Sequence, residues 1–274
     1  MSLMENILRI LDVRMPQPTL YGWFHIVSLL LTVAATVLLC RFAKEADKRK
    51  VVLTTAILVT VLEVYKQINF SFSYADGIRF DYQWYAFPFQ FCSTPMYVGL
   101  LAGLTKQGKL HNAACAYLAT YAVFAGICVM LYPSTVFVPQ VGINIQTMVC
   151  HGSMIVIGAY LLFTGYVPLI HRTILRAIPV FAVCVAIACG MNEIAHLTGL
   201  LERETFDMFF ISPYGTPSLP VYSLVQGVVP FPWCLVIYVA AFTFAAYLML
   251  LVAMGIKTLV KKKSKLQNCN ALQK

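Results

Sequence analysis

Charge is distributed along this chain so that seven runs of roughly twenty residues carry almost none of it. They lie at 21–40, 51–71, 87–104, 111–131, 144–165, 174–197 and 230–256. A helix needs about 20 predominantly apolar residues to cross the hydrocarbon core of a bilayer. The pattern therefore predicts an all-α polytopic membrane bundle of seven transmembrane helices, with 1–274 forming one domain. The run at 87–104 is the shortest and opens on a proline. Across the chain 60% of residues are apolar and 11% charged, against about 25% charged in a soluble domain. A water-soluble enzyme, a disordered chain and a fibrous repeat are excluded on that ground.

The scarce charges report orientation. Arg9, Arg14, Arg79 and Arg203 fall on one side of the seven spans. The other side takes fifteen basic residues, from 41–50, 106–109, 172–176 and the tail 257–274. Positive charge collects on the cytoplasmic side, so the N-terminus is expected outside and the C-terminus inside. The net charge of +9 then marks topology and attraction to anionic headgroups, and no nucleic-acid partner is expected. Before the first span, Leu3, Ile7, Leu8 and Leu11 recur at helical spacing, which predicts an interfacial helix within 1–18. The outer loop 198–229 holds Pro213, Tyr214, Gly215, Thr216, Pro217 and Pro220, a pattern of turns rather than helix. The absence of a targeting or retention signal suggests a bacterial cell membrane.

Ionisable groups inside a span are costly and face a partner or a cavity. The second span carries Glu63 and Lys66, whose i, i+3 spacing puts them on one helix face. The third carries Gln90 and Cys92 near Pro88 and Pro95; Pro95 is expected to loosen a helix around Phe91. The fifth carries Gln146 and His151, and the sixth ends in Asn192, Glu193 and His196. At 1.5 Å rise per residue, Glu63 and Lys66 lie roughly 18–22 Å above the inner end of their span. By the same measure Cys92 and His151 lie about 7 and about 10 Å below the outer surface. These groups share the outer half of the bundle, which implies a polar cavity there. Glu193-x-x-His196 is half of a di-iron pattern, but no second copy exists, and the nine cysteines contain no CxxC. No metal and no cofactor are expected.

A cysteine and a histidine at equal depth can act as nucleophile and base. The order Glu63-x-x-Lys66, Phe87-Pro88-Phe89-Gln90-Phe91-Cys92, Cys150-His151-Gly152 resembles the YwaF / transmembrane protein 164 family over most of the chain. The resemblance implies acyl transfer onto lysophospholipids, with Cys92 and His151 as the catalytic pair and membrane lipids as substrates. A lipid acyltransferase or acyl-ester hydrolase working through a thioester is therefore expected. Glu63, Lys66, Gln90, Asn192, Glu193 and His196 would line its cavity, Gln90 as a candidate oxyanion donor. The alternative is a small-molecule transporter or receptor whose polar cavity is lined by Glu63, Lys66 and Glu193. A structural membrane protein, with the polar cluster serving as helix glue, is a third reading.

Overall fold

A computed structural model describes residues 3–73, 77–200, 206–215 and 220–272. Arg203, Thr216, Pro217 and Lys274, invoked above for charge and turns, lie outside the described residues. The helices in chain order are α1 (Leu3–Leu11), α2 (Trp23–Phe42), α3 (Lys48–Asn69), α4 (Thr94–Leu104), α5 (Lys109–Tyr117), α6 (Val123–Leu131), α7 (Val141–Phe163), α8 (Arg172–Leu197), α9 (Pro220–Gln226) and α10 (Trp233–Leu272). A two-residue hairpin, β1 (Phe72–Ser73) with β2 (Arg79–Phe80), follows α3. Six helical stretches are long and apolar enough to cross a membrane: α2, α3, the continuous 109–131, α7, α8 and 233–259 of α10. The remaining run yields a shorter apolar helix, Phe91–Leu104.

The shortness of that helix has a local cause. A turn at Trp84–Ala86 and a non-helical link precede a 3-10 turn, Phe91–Ser93, and α4 begins only at Thr94. Pro95 thus occupies the first turn of α4, where a missing N–H has no helical partner to lose. It starts a helix here rather than loosening one. The loop after α8 likewise departs from the expectation of turns alone. Pro220 opens the short helix α9.

Glycines set the closest helix contacts. A Cβ at Gly99 would meet the Ala56 Cβ at 3.0 Å, and one at Gly103 would meet the Leu53 Cβ at 2.5 Å. The Gly-x-x-x-Gly face of α4 therefore lies directly on α3. The span 109–131 is mostly buried and forms the centre of the bundle with α7. It is interrupted by a π-helical turn at Leu118–Ala122, against which Gly158 of α7 packs. Gly126 of α6 sits against the backbone of His151, where a Cβ would come within 2.7 Å of the carbonyl oxygen. By contrast α2 turns large apolar side chains such as Leu30 and Leu31 outward, as a lipid-facing helix does.

The N-terminal segment is tied to the end of the bundle that holds the polar residues. Tyr65 Oη and Asn69 Nδ2 of α3 both donate to the Leu11 carbonyl, at 2.8 and 2.9 Å. Met15 N donates to Pro139 O, and Val141 N donates to Val13 O. Leu8 is buried, whereas Ile7 and Ile10 are exposed. The helix therefore has one face for the bundle and apolar groups left over for a membrane interface.

Candidate active site

Glu63 and Lys66 form an ion pair at 2.7 Å, with both side chains largely removed from solvent. The carboxylate is saturated. Its Oε1 accepts from Lys66 and from Gln67 Nε2, and its Oε2 accepts from Gln146 Nε2 of α7 at 3.1 Å. Gln67 is held in turn by donating to Ala86 O and by accepting from Tyr82 Oη. A buried carboxylate needs such satisfaction of its lone pairs to remain ionised. Burial and the Glu63 charge push the Tyr82 phenol up to about 12, so it stays a donor to this network.

Lys66 is the cation shared by the site. Its ammonium acts electrostatically on both Cys92 and His151. Cys92 occupies the 3-10 turn before α4, half-buried, and also feels Glu63. Cys150, which interacts with Cys92, accepts from Gln146 Nε2 at 3.4 Å. Glu63, Lys66, Cys92 and His151 thus lie in one electrostatic neighbourhood. Among the described residues no hydrogen bond joins Cys92 to His151.

His151 is buried and asymmetric. Its Nδ1 lies 2.7 Å from Thr147 O, a contact that requires an Nδ1–H donor because a carbonyl can only accept. Its Nε2 is buried and has no hydrogen-bond partner among the described residues. The ring therefore presents an unused lone pair, and a buried unsatisfied acceptor calls for an explanation.

The other expected site residues fall into two groups that make no hydrogen bond or ion pair with the Glu63–Lys66 network among the described residues. Gln90 donates to Asp207 O at 2.8 Å and accepts from Phe209 N at 2.9 Å. Asn192 donates to Met208 O at 3.0 Å and accepts from Met208 N at 2.7 Å. These two amides grip the backbone of 207–209, where Phe209 and Phe210 have φ of 62° and 56°. Such a conformation is strained for a bulky residue and persists only when its surroundings hold it. The grip drives Phe209 into a cluster with Phe89, Phe91 and Phe181. Gln90 and Asn192 thereby brace Phe91, the residue beside Cys92.

Glu193 and His196 form the second group, at the end of α8. Tyr214 Oη donates to Glu193 Oε2 at 2.7 Å, and its ring stacks on His196 with centroids 3.7 Å apart. Glu193 is exposed, and neither residue touches the Glu63–Lys66 network in any hydrogen bond or ion pair among the described residues. No group of three or more His, Cys, Asp or Glu side chains among the described residues is arranged to hold a metal.

Gln67, Tyr82, Thr147 and Cys150 were not singled out from the sequence as site residues. Gln67 carried a signal, since it lies one helical turn after Glu63. Tyr82 carried none, because a loop residue has no periodicity to place it.

The family model of the TMEM164 family matches residues 20–251, most of the chain. The chain belongs to the TMEM164 family. The match contains every residue of the Glu63, Lys66, Cys92 and His151 neighbourhood, as well as the braced 207–209 loop. Neither the curated proteins nor the solved structures include a significant match to it.

Proposed function

We propose that this TMEM164-family protein is a lipid acyltransferase or acyl-ester hydrolase that uses Cys92 as nucleophile and His151 as base. The observation that carries the reading is the buried Nε2 of His151, which has no hydrogen-bond partner among the described residues. A lone pair held free in this way is what a general base needs, and a carbonyl-fixed Nδ1–H is what keeps it in that tautomer.

In the first half-reaction His151 Nε2 takes the Cys92 thiol proton, and the sulfur attacks the carbonyl carbon of an acyl ester. The C–O bond breaks, and the imidazolium returns its proton to the departing alkoxide, leaving a thioester on Cys92. In the second half-reaction a lyso-lipid hydroxyl or water gives its proton to His151 as it attacks the thioester. The thiolate leaves and recovers the proton. The Lys66 ammonium, anchored by a saturated Glu63, balances negative charge on sulfur and on the tetrahedral oxygen. Phe91 and its aromatic neighbours hold the turn that carries the sulfur.

The protein is read with seven spans, the short Phe91–Leu104 helix included, and with its C-terminal basic segment cytoplasmic. The site then opens toward the outer leaflet, where its lipid substrates reside, and a bacterial cell membrane is the proposed location. A thiol-reactive lipid-ester probe tests the mechanism in purified protein. Labelling mapped to Cys92, lost in His151→Ala, supports it. Labelling spread over the other cysteines, with Cys92 silent, contradicts it. If Glu63 and Lys66 prove essential for solute uptake while Cys92 is dispensable, the transporter reading replaces it.

A further inference from the structure

A groove of about 870 Å³ runs between α8 and α10, with His171 and Arg172 at the start of α8 at one end. Its walls are one face of each helix. Leu175 and Ile178 line it from α8, and Val236, Val239 and Phe244 line it from α10. Leu175, Val236 and Phe244 are each more than half exposed. The hydroxyl of Thr243, the polar group within the apolar stretch, is engaged with Val239 O and Tyr121 Oη. The floor therefore offers no free polar group to water.

The mouth has a different chemistry. His171 Nδ1 and Tyr247 Oη are joined at 2.7 Å and bridge the two helices. Beside them Arg172 is exposed and has no ion-pair partner among the described residues. Among the described residues no carboxylate lines the groove. From Leu235 to Tyr247 the groove extends along roughly 18 Å of helix, close to the ~15 Å depth of one leaflet.

We infer that this groove binds one anionic phospholipid from the leaflet at the basic end, acyl chains along the groove and phosphate on Arg172. An apolar trough about one leaflet long with the Arg172 guanidinium at its mouth matches a lipid in both length and charge. Arginine recognises phosphate through a planar fork of donors, and basic pockets between helices at this level favour anionic headgroups. A zwitterionic headgroup gains less, because the mouth has no carboxylate to receive its ammonium. The inference stands apart from the acyl chemistry, since it uses none of the same residues.

Native mass spectrometry of delipidated full-length protein tests it with phosphatidylglycerol and phosphatidylcholine of equal chain length. The wild type should retain phosphatidylglycerol in preference. Arg172→Gln should reduce that preference about five-fold, the effect of one basic residue near the surface. Val236→Trp, which fills the trough from an exposed position, should lower occupancy by both lipids. Arg176→Gln, on the same helix but outside the groove, should leave the preference intact and shows that the fold tolerates such a change. Equal retention of the two lipids by the wild type overturns the inference. So does an Arg172→Gln variant that keeps the preference, or a Val236→Trp variant with unchanged occupancy.

Discussion

The Nδ1 of His151 lies 2.7 Å from the carbonyl oxygen of Thr147, one turn back in the same helix. This bond fixes which nitrogen carries the proton of the neutral ring and leaves Nε2 as the basic one. Nitrogen NMR of protein labelled at histidine should therefore show the Nδ1–H tautomer for the resonance that His151→Gln removes. An Nε2–H tautomer at that resonance contradicts the assignment of His151 as a base.

The Glu63–Lys66 pair should be fragile to single changes and tolerant of a double one. Glu63→Gln leaves a buried ammonium without its counter-charge, a loss of about 3–5 kcal/mol for a desolvated pair. Lys66→Met strands the carboxylate in the same way. Glu63→Gln combined with Lys66→Met removes both charges and should recover most of the loss. Thermal unfolding in one detergent, compared across the four proteins, reads the coupling. Additive losses show that the two side chains do not depend on each other.

The two amides that hold the strained 207–209 backbone should act on the site through Phe91. Asn192→Leu and Gln90→Leu each leave buried backbone groups unpaired, at about 1–3 kcal/mol apiece. Hydrogen exchange should accelerate at Met208 and Phe209, and acyl turnover should fall while probe access to Cys92 rises. Unchanged exchange in both variants shows that the aromatic packing alone holds the loop.

Asp207 gives that loop a pH dependence. Burial raises its carboxyl from 3.8 to about 6, against the lowering effect of the Ser212 and Ile211 amides. The folded loop therefore binds more protons than the unfolded chain between those two values. Stability falls wherever pH rises through such a window. The stability of the folded loop, read as exchange protection at Met208 and Phe209 corrected for the intrinsic pH dependence of exchange, should decline as pH rises from about 4 to about 6 and then level off. Asp207→Asn should flatten the profile.

The spans were legible because lipid exposure writes itself into long apolar runs, and α2, α7 and α8 begin and end within three residues of the expected positions. That Glu63, Lys66, Cys92 and His151 come near one another was legible too, from counting residues along each run. Rotation was not. Glu193 and His196 were counted into the same layer but face Tyr214 at the surface, and Gln90 turns to the 207–209 backbone. An amide has the same sequence signature whether it meets a substrate or a peptide group. The start of α4 was missed for a related reason, since Pro95 can interrupt a helix or open one, and only the turn before it decides.

The most direct test of the account is acyl exchange between a labelled phospholipid and a lysophospholipid, measured in liposomes holding purified wild-type, Cys92→Ala or His151→Ala protein. Loss of the nucleophile should abolish exchange, and loss of the base should lower it by about 10²–10⁴-fold. Both variants should still bind lipid. Exchange at the wild-type rate in either variant would contradict the assignment of Cys92 and His151 as the reacting pair.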